Sequence, residues 1–236
     1  MFRYAFATLT ALSALAGVAT AQAPDSRPTV AVMNFDNGAM GKQQHEDFDA
    51  FTSGISQMLV TELAADQQIR VVEREQLQHL MEEQNIDPKR VDPSTAVRLG
   101  KLLGAHHMIF GGFVSDPSGR MILTSRSVNV ETSQVEYVAH VQGDAKNVLA
   151  LVTQLADTMI NGMKLPPIDT KVSESRAEAN KKVPFETVML YSRGLAEEDK
   201  GNKGKAVEYY KASLAKFPTY EPSQKRLATL APQSAG

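Results

Sequence analysis

The stretch Ile69–Glu83, IRVVEREQLQHLMEE, constrains the fold more than any other part of the chain. Ile69, Val71 and Val72 read as a short buried strand, which passes almost without a loop into a helix where Leu77, Leu80 and Met81 recur at helical spacing. A strand feeding straight into a helix is half of a βαβ unit. The mostly apolar Thr29–Phe35 upstream supplies the other strand, covered on both faces. The class that follows is α/β, a mixed sheet with packed helices.

Around that unit the remaining elements fall into order. Asp36–Glu46 contains Gly38 and Gly41 with only Met40 to anchor it, and reads as a mobile, solvent-facing loop. A helix begins at Asp47, with Phe48, Phe51, Ile55, Leu59 and Leu63 as its core stripe. Asn85–Val91 is a loop, and Asp92-Pro93 opens a helix with a capping side chain followed by proline at the first helical position. That helix ends near Leu103-Gly104.

Three strands follow, His106–Ser115, Arg120–Val130 and Gln134–Gln142, joined by the turns Asp116–Gly119 and Glu131–Ser133. In the last, Val135, Tyr137, Ala139 and Val141 alternate with Glu136, His140 and Gln142, so one face is wet. Asp144 caps a further helix carrying Val148, Val152, Leu155 and Met159. The expected order is β-α-β-α-α-β-β-β-α.

Both ends of the chain differ in character from this body. Arg3, the apolar Ala5–Val18 and the small-x-small Ala19-Thr20-Ala21 read as a secretion signal, residues 1–21, cleaved before Gln22. The α/β domain then spans 22–164. Residues 165–183, with prolines at 166 and 167 and a charged run without core periodicity, read as a linker containing at most part of a helix. Residues 184–236 form an all-α hairpin and tail.

In that hairpin Gly194, Gly201, Ala206, Tyr210, Ser213 and Pro218 fall at offsets resembling a tetratricopeptide repeat, with Tyr191 on the same helix as Gly194. Arg193 and Glu197 stand where that repeat usually has an apolar and an aromatic residue. Tyr220–Leu230 reads as a short capping helix. A lone repeat buries little, so it must dock on the α/β domain or on another chain.

Composition excludes several function classes. The 236 residues carry a formal net charge of −2 and show no basic run, which argues against a nucleic-acid partner. With no cysteine there is no disulfide, thiol nucleophile, thiolate metal site or lipidated cysteine. No phosphate-binding glycine loop, nucleophile elbow or zinc-protease motif appears. His106 and His107 point to opposite faces of a strand, and His45, His79 and His140 are scattered, so no metal site is expected. No cofactor is expected either.

Several blocks in one order carry a family resemblance: VAVMNF, MLVTEL, VVEREQLQHLMEEQ, VRLGKLLGAHHMIFGGFV and SVNVETSQVEYVAHV. Over roughly Thr29–Met163 the chain resembles the curli production assembly/transport component family, CsgG and its relatives. The resemblance implies an exported envelope protein. Channel-type members are lipoproteins that form rings, each subunit adding two β-hairpins to an outer-membrane barrel. Here the corresponding connections, Asp116–Gly119 and Gln142–Asp144, leave no room for spanning strands of about nine to eleven residues.

The expectation is therefore a non-catalytic periplasmic protein that works by binding other envelope proteins or further copies of itself, without a membrane span in the mature chain. Its role would be as an assembly or accessory factor in curli-type secretion or outer-envelope biogenesis. The alternative is an adaptor that docks on and activates a cell-wall enzyme. Candidate partner-binding residues are Glu73 and Arg74 at the start of the central helix, and Tyr191 and Tyr210 in the repeat. The competing reading of Glu73 and Arg74 is a structural ion pair or a solvated turn. Asp36 and Asn37 follow a strand end, where α/β sheets often bind ligands. N-terminal sequencing of the exported protein is expected to begin at Gln22, and a start elsewhere overturns the signal-peptide reading.

Overall fold

The structure, a computed structural model, describes residues 25–39, 41–65, 67–87 and 92–230. The signal read at 1–21 and the last residues of the tail lie outside them. Among the described residues the strands form one five-stranded sheet in the order β2-β1-β3-β4-β5. These are β1 (Thr29–Asn37), β2 (Arg70–Val71), β3 (His107–Ser115), β4 (Arg120–Asn129) and β5 (Gln134–Asp144). β1 pairs in parallel with β2 and β3, while β3-β4-β5 is an antiparallel meander. The mixed α/β class is as the sequence predicts.

Alternation along β1, interrupted by an irregularity between Val32 and Phe35, divides the core in two. Val30, Val32 and Phe35 face α2 (Phe51–Leu63) and α5 (Val148–Gly162). Ala31 and Met33 face α3 (Arg74–Glu83) and α4 (Pro93–Leu103). Each fully buried side chain of this size contributes about 1.5–3 kcal/mol. Asp92 caps α4 by accepting the Thr95 N–H at 2.7 Å, and Gly104 ends it at φ 63°, a left-handed conformation that suits glycine.

Four local expectations are corrected. Lys42–Phe48 is a helix, α1, within and just beyond the stretch read as a mobile loop; Phe48 at its end is its one apolar residue, so it shows no core stripe. The helix read from Asp47 is two helices, broken at Asp49-Ala50. The central strand is shorter than Ile69–Val72: only Arg70 and Val71 enter the ladder, although Ile69 and Val72 are buried beside it. Finally, the pairing of β4 with β5 shifts register between Ser127 and Val128, which sets Val135 opposite Val128 on the face that carries α3 and α4, away from Ala139 and Val141.

The C-terminal part is all helical. α6 (Thr170–Lys181) occupies most of the stretch read as a linker, and α7 (Phe185–Asp199), α8 (Lys203–Lys216) and α9 (Glu221–Leu230) follow. The hairpin docks on its own α/β domain: α7 packs along α2, and Val188 joins the core beneath it. Gly54 of α2 makes the close approach, since a Cβ there would lie 2.1 Å from Ser192 Oγ and 2.7 Å from its Cβ.

Gly54→Ala is expected to destabilise the protein by about 1–3 kcal/mol. In urea titrations the double variant Gly54→Ala/Ser192→Gly should lose less than the sum of the two single losses, because removing the Ser192 side chain restores the space.

Candidate functional site

The residues singled out at the start of α3 lead into the junction between the two parts of the chain. Arg74, at the first helical position, is only 2% exposed and pairs with Asp199 at the end of α7. Asp199 also accepts from Ser53 Oγ of α2 at 2.5 Å and from Gln78 Nε2 of α3 at 2.6 Å. One carboxylate thus ties α2 and α3, on opposite faces of the sheet, to α7.

The neighbouring Glu198 turns the other way. Its Oε2 accepts from Tyr210 Oη at 2.9 Å and from Arg226 Nε at 3.0 Å, and Arg226 also pairs with Glu75 of α3. Burial works against the charge on Arg226, but Glu198 and Glu75 more than offset it and hold its pKa above the usual value. Tyr191 and Tyr210 pack with their rings tilted by 45° at 5.8 Å, and Tyr191 meets Tyr220 edge-on at 5.5 Å. Burial pushes all three phenols well above their ordinary range.

Of the four candidate partner-binding residues, Glu73 is exposed, while Arg74, Tyr191 and Tyr210 are buried within this junction. Their partners Asp199, Glu198 and Arg226 were not read from the sequence. Asp199 is 125 residues from Arg74 and Glu198 is 12 from Tyr210, while Arg226 joins through Glu198, 28 residues away; no periodicity links them. The histidines are spent locally: His106 Nδ1 accepts from the Thr29 N–H at 2.8 Å, and His107 pairs with Glu136 at 2.5 Å.

Asp36 borders a shallow hollow of about 330 Å³ with Phe110, Gly112, Val114, Thr124 and Arg126. Asn37 sits just beyond, its side chain bonded to His45 O and the Ala39 N–H. The hollow opens on the half of the sheet that α3 and α4 leave uncovered. Register and alternation put Val114, Ile122, Arg126 and Val138 on that open face, with Val135 beside Val128. Val135 and Val138 are 47% and 53% exposed near Arg126, and Val114, 37% exposed, lies further along the same face beyond Thr124 and His140. The sequence pattern pointed to a wet face; the bulge that turns Val135 onto it was not legible.

Residues 11–115 match the model of the family "Curli production assembly/transport component CsgG". The match ends with β3, whereas the resemblance read from the sequence runs on through the β4–β5 hairpin. No curated protein matches the chain. Among solved structures, the LpoB C-terminal domain from Escherichia coli is 14% identical, with a TM-score of 0.39 over 52% of this chain and 87% of that one. TolB from Acinetobacter baumannii is 14% identical with a TM-score of 0.40, over 61% of this chain and 30% of that one. The PelC dodecamer from Paraburkholderia phytofirmans is 14% identical with a TM-score of 0.29, over 58% and 88%. Among the described residues no helix is long and apolar enough to cross a membrane.

Removing the Asp199 carboxylate leaves a buried guanidinium without its counter-charge. Asp199→Ala is expected to cost about 3–5 kcal/mol in chemical denaturation. The pair replacement Arg74→Met/Asp199→Leu should cost less than Asp199→Ala alone, since no charge is then stranded.

Proposed function

We propose that the protein is a non-catalytic accessory or adaptor of the cell envelope that acts by binding other envelope proteins. The family match over residues 11–115 supports the envelope setting. The observation that carries the binding role is the uncovered sheet face, where Val135 and Val138 stand exposed near Arg126 and Val114 is exposed further along the same face. Exposed apolar side chains with a charged residue near them fit a protein partner that brings apolar side chains and a carboxylate. Within this reading the chain is exported to the periplasm by its signal peptide and serves curli-type secretion or outer-envelope assembly.

The α7–α8 hairpin acts in this reading as a single tetratricopeptide-like unit. Gly194 supports it, because a Cβ there would lie 2.4 Å from the ring of Tyr210 and only glycine lets the two helices close. With α7 docked on α2, the hairpin braces the α/β domain and presents α8 and α9 outward.

The test is recovery of a defined partner from envelope extracts on the immobilised protein, followed by its affinity for the purified chain. Val138→Asp places a charge on an exposed position, so folding should be unchanged while partner affinity falls by about tenfold or more. A partner bound equally well by the variant would refute the sheet face as the binding surface.

A further inference from the structure

Behind the junction lies a cavity of about 420 Å³ that the reading above does not use. α2, α5, α6, α7 and the turn into α9 line it and leave one side open to solvent, and its apolar wall includes Met58, Leu149, Val183, Phe217 and Tyr220. Its size, mainly apolar wall and position between two packed parts of the chain are those of a small-molecule site.

Its polar groups are few. Glu62 is 7% exposed; its carboxylate pairs with Arg176 at 2.5 Å and accepts from Asn180 Nδ2 at 3.3 Å. Tyr220 is 5% exposed, and its hydroxyl is buried without a hydrogen-bond partner. Burial above all, then Tyr191 and Glu62, disfavours ionisation of that hydroxyl. A buried hydroxyl left unpaired costs free energy that a ligand can return by accepting its hydrogen bond.

The charges select the ligand. Glu62 and Arg176 already neutralise each other inside, Glu221 pairs with Lys225 at 2.7 Å, and Lys182 stands exposed at the rim. An anionic head group would meet the Glu62 carboxylate, and a cationic one would meet the Arg176 guanidinium, each in surroundings poor in water. An uncharged head with both donor and acceptor, a hydroxyl or an amide, satisfies Tyr220 and Glu62 together.

There is also a way in. α6 lines the cavity but has no buried residue. Its side-chain hydrogen bonds to the α/β domain are polar contacts from Arg176 to Glu62 and the Thr61 and Glu62 carbonyls, and from Asn180 to Glu62 and Thr153. Such a helix can lift without exposing a core of its own.

We infer that this cavity, bounded by Glu62, Asn180, Tyr220 and the apolar wall under α6, is a binding site for an uncharged amphipathic small molecule with an aliphatic body and a hydroxyl or amide head.

The probes are octanol, octanoate and octylamine, which share a chain and differ in the head, titrated into the purified full chain. Saturable binding is read by calorimetry and by two-dimensional NMR shifts. Octanol is expected to bind at least about tenfold more tightly than either charged probe. Tyr220→Phe removes the unpaired hydroxyl, so the free protein should be at least as stable, while octanol affinity falls about two- to tenfold. Ala179→Trp, on the exposed side of α6 at the cavity wall, should fold normally and block all three probes. Equal affinities for the three heads overturn the inference, as does no saturable octanol binding. So does octanol binding to Tyr220→Phe as tightly as to the unaltered protein, or undiminished binding to Ala179→Trp.

Discussion

The Asp199 carboxylate is the interaction on which the arrangement of the two parts depends. Its acceptor sites are filled from Ser53, Arg74 and Gln78, so it fixes the tip of α7 against the starts of two helices on opposite sides of the sheet. A buried ion pair is not strongly stabilising by itself, because desolvating both charges costs nearly what their attraction returns. What it supplies is uniqueness of fit. An apolar α7–α2 contact alone could slide along the ridge, whereas the three donors to Asp199 converge at one register. Glu198 repeats the device on the other side, holding α8 through Tyr210 and α9 through Arg226.

Much of the fold was legible because it rests on local patterns. Apolar runs marked β1 and β3, helical spacing marked α2, α3 and α5, and Asp92-Pro93 marked α4 within a residue of its start. The misses have two physical causes. α1 and α6 have no buried stripe or only polar contacts, so periodicity gave no signal for them. The shift that exposes Val135 is a property of how two strands pair, and neither strand states it alone.

The junction was legible only by halves. The sequence picked out Arg74 from its place at a helix start, and Tyr210 from a repeat offset. It was silent on what they touch, since Asp199, Glu198 and Arg226 lie on helices whose docking is set by the tertiary fold. Arg74 answers to the structural-pair reading weighed for it. A side chain at a helix start is equally placed to meet a foreign group or its own chain, and only the position of α7 decides between them.

That position has a consequence for the sheet. In open α/β sheets ligands gather beyond the carboxyl ends of parallel strands, where helix N-termini carry partial positive charge. Arg74 opens α3 directly after β2, and Ser53 lies in the first turn of α2, whose Ser56 bonds to Asn34 near the end of β1 at 3.2 Å. The carboxylate that these N-terminal residues hold is Asp199. The place where a fold of this kind receives an anion is therefore taken by the chain's own hairpin. The surfaces left for other molecules lie elsewhere, on the open face of β3-β4-β5 and in the cavity under α6, both apolar in character. Locking the hairpin in place thus fills the strand-end position with the chain's own carboxylate, and under the proposed function partners are met on the sheet face instead.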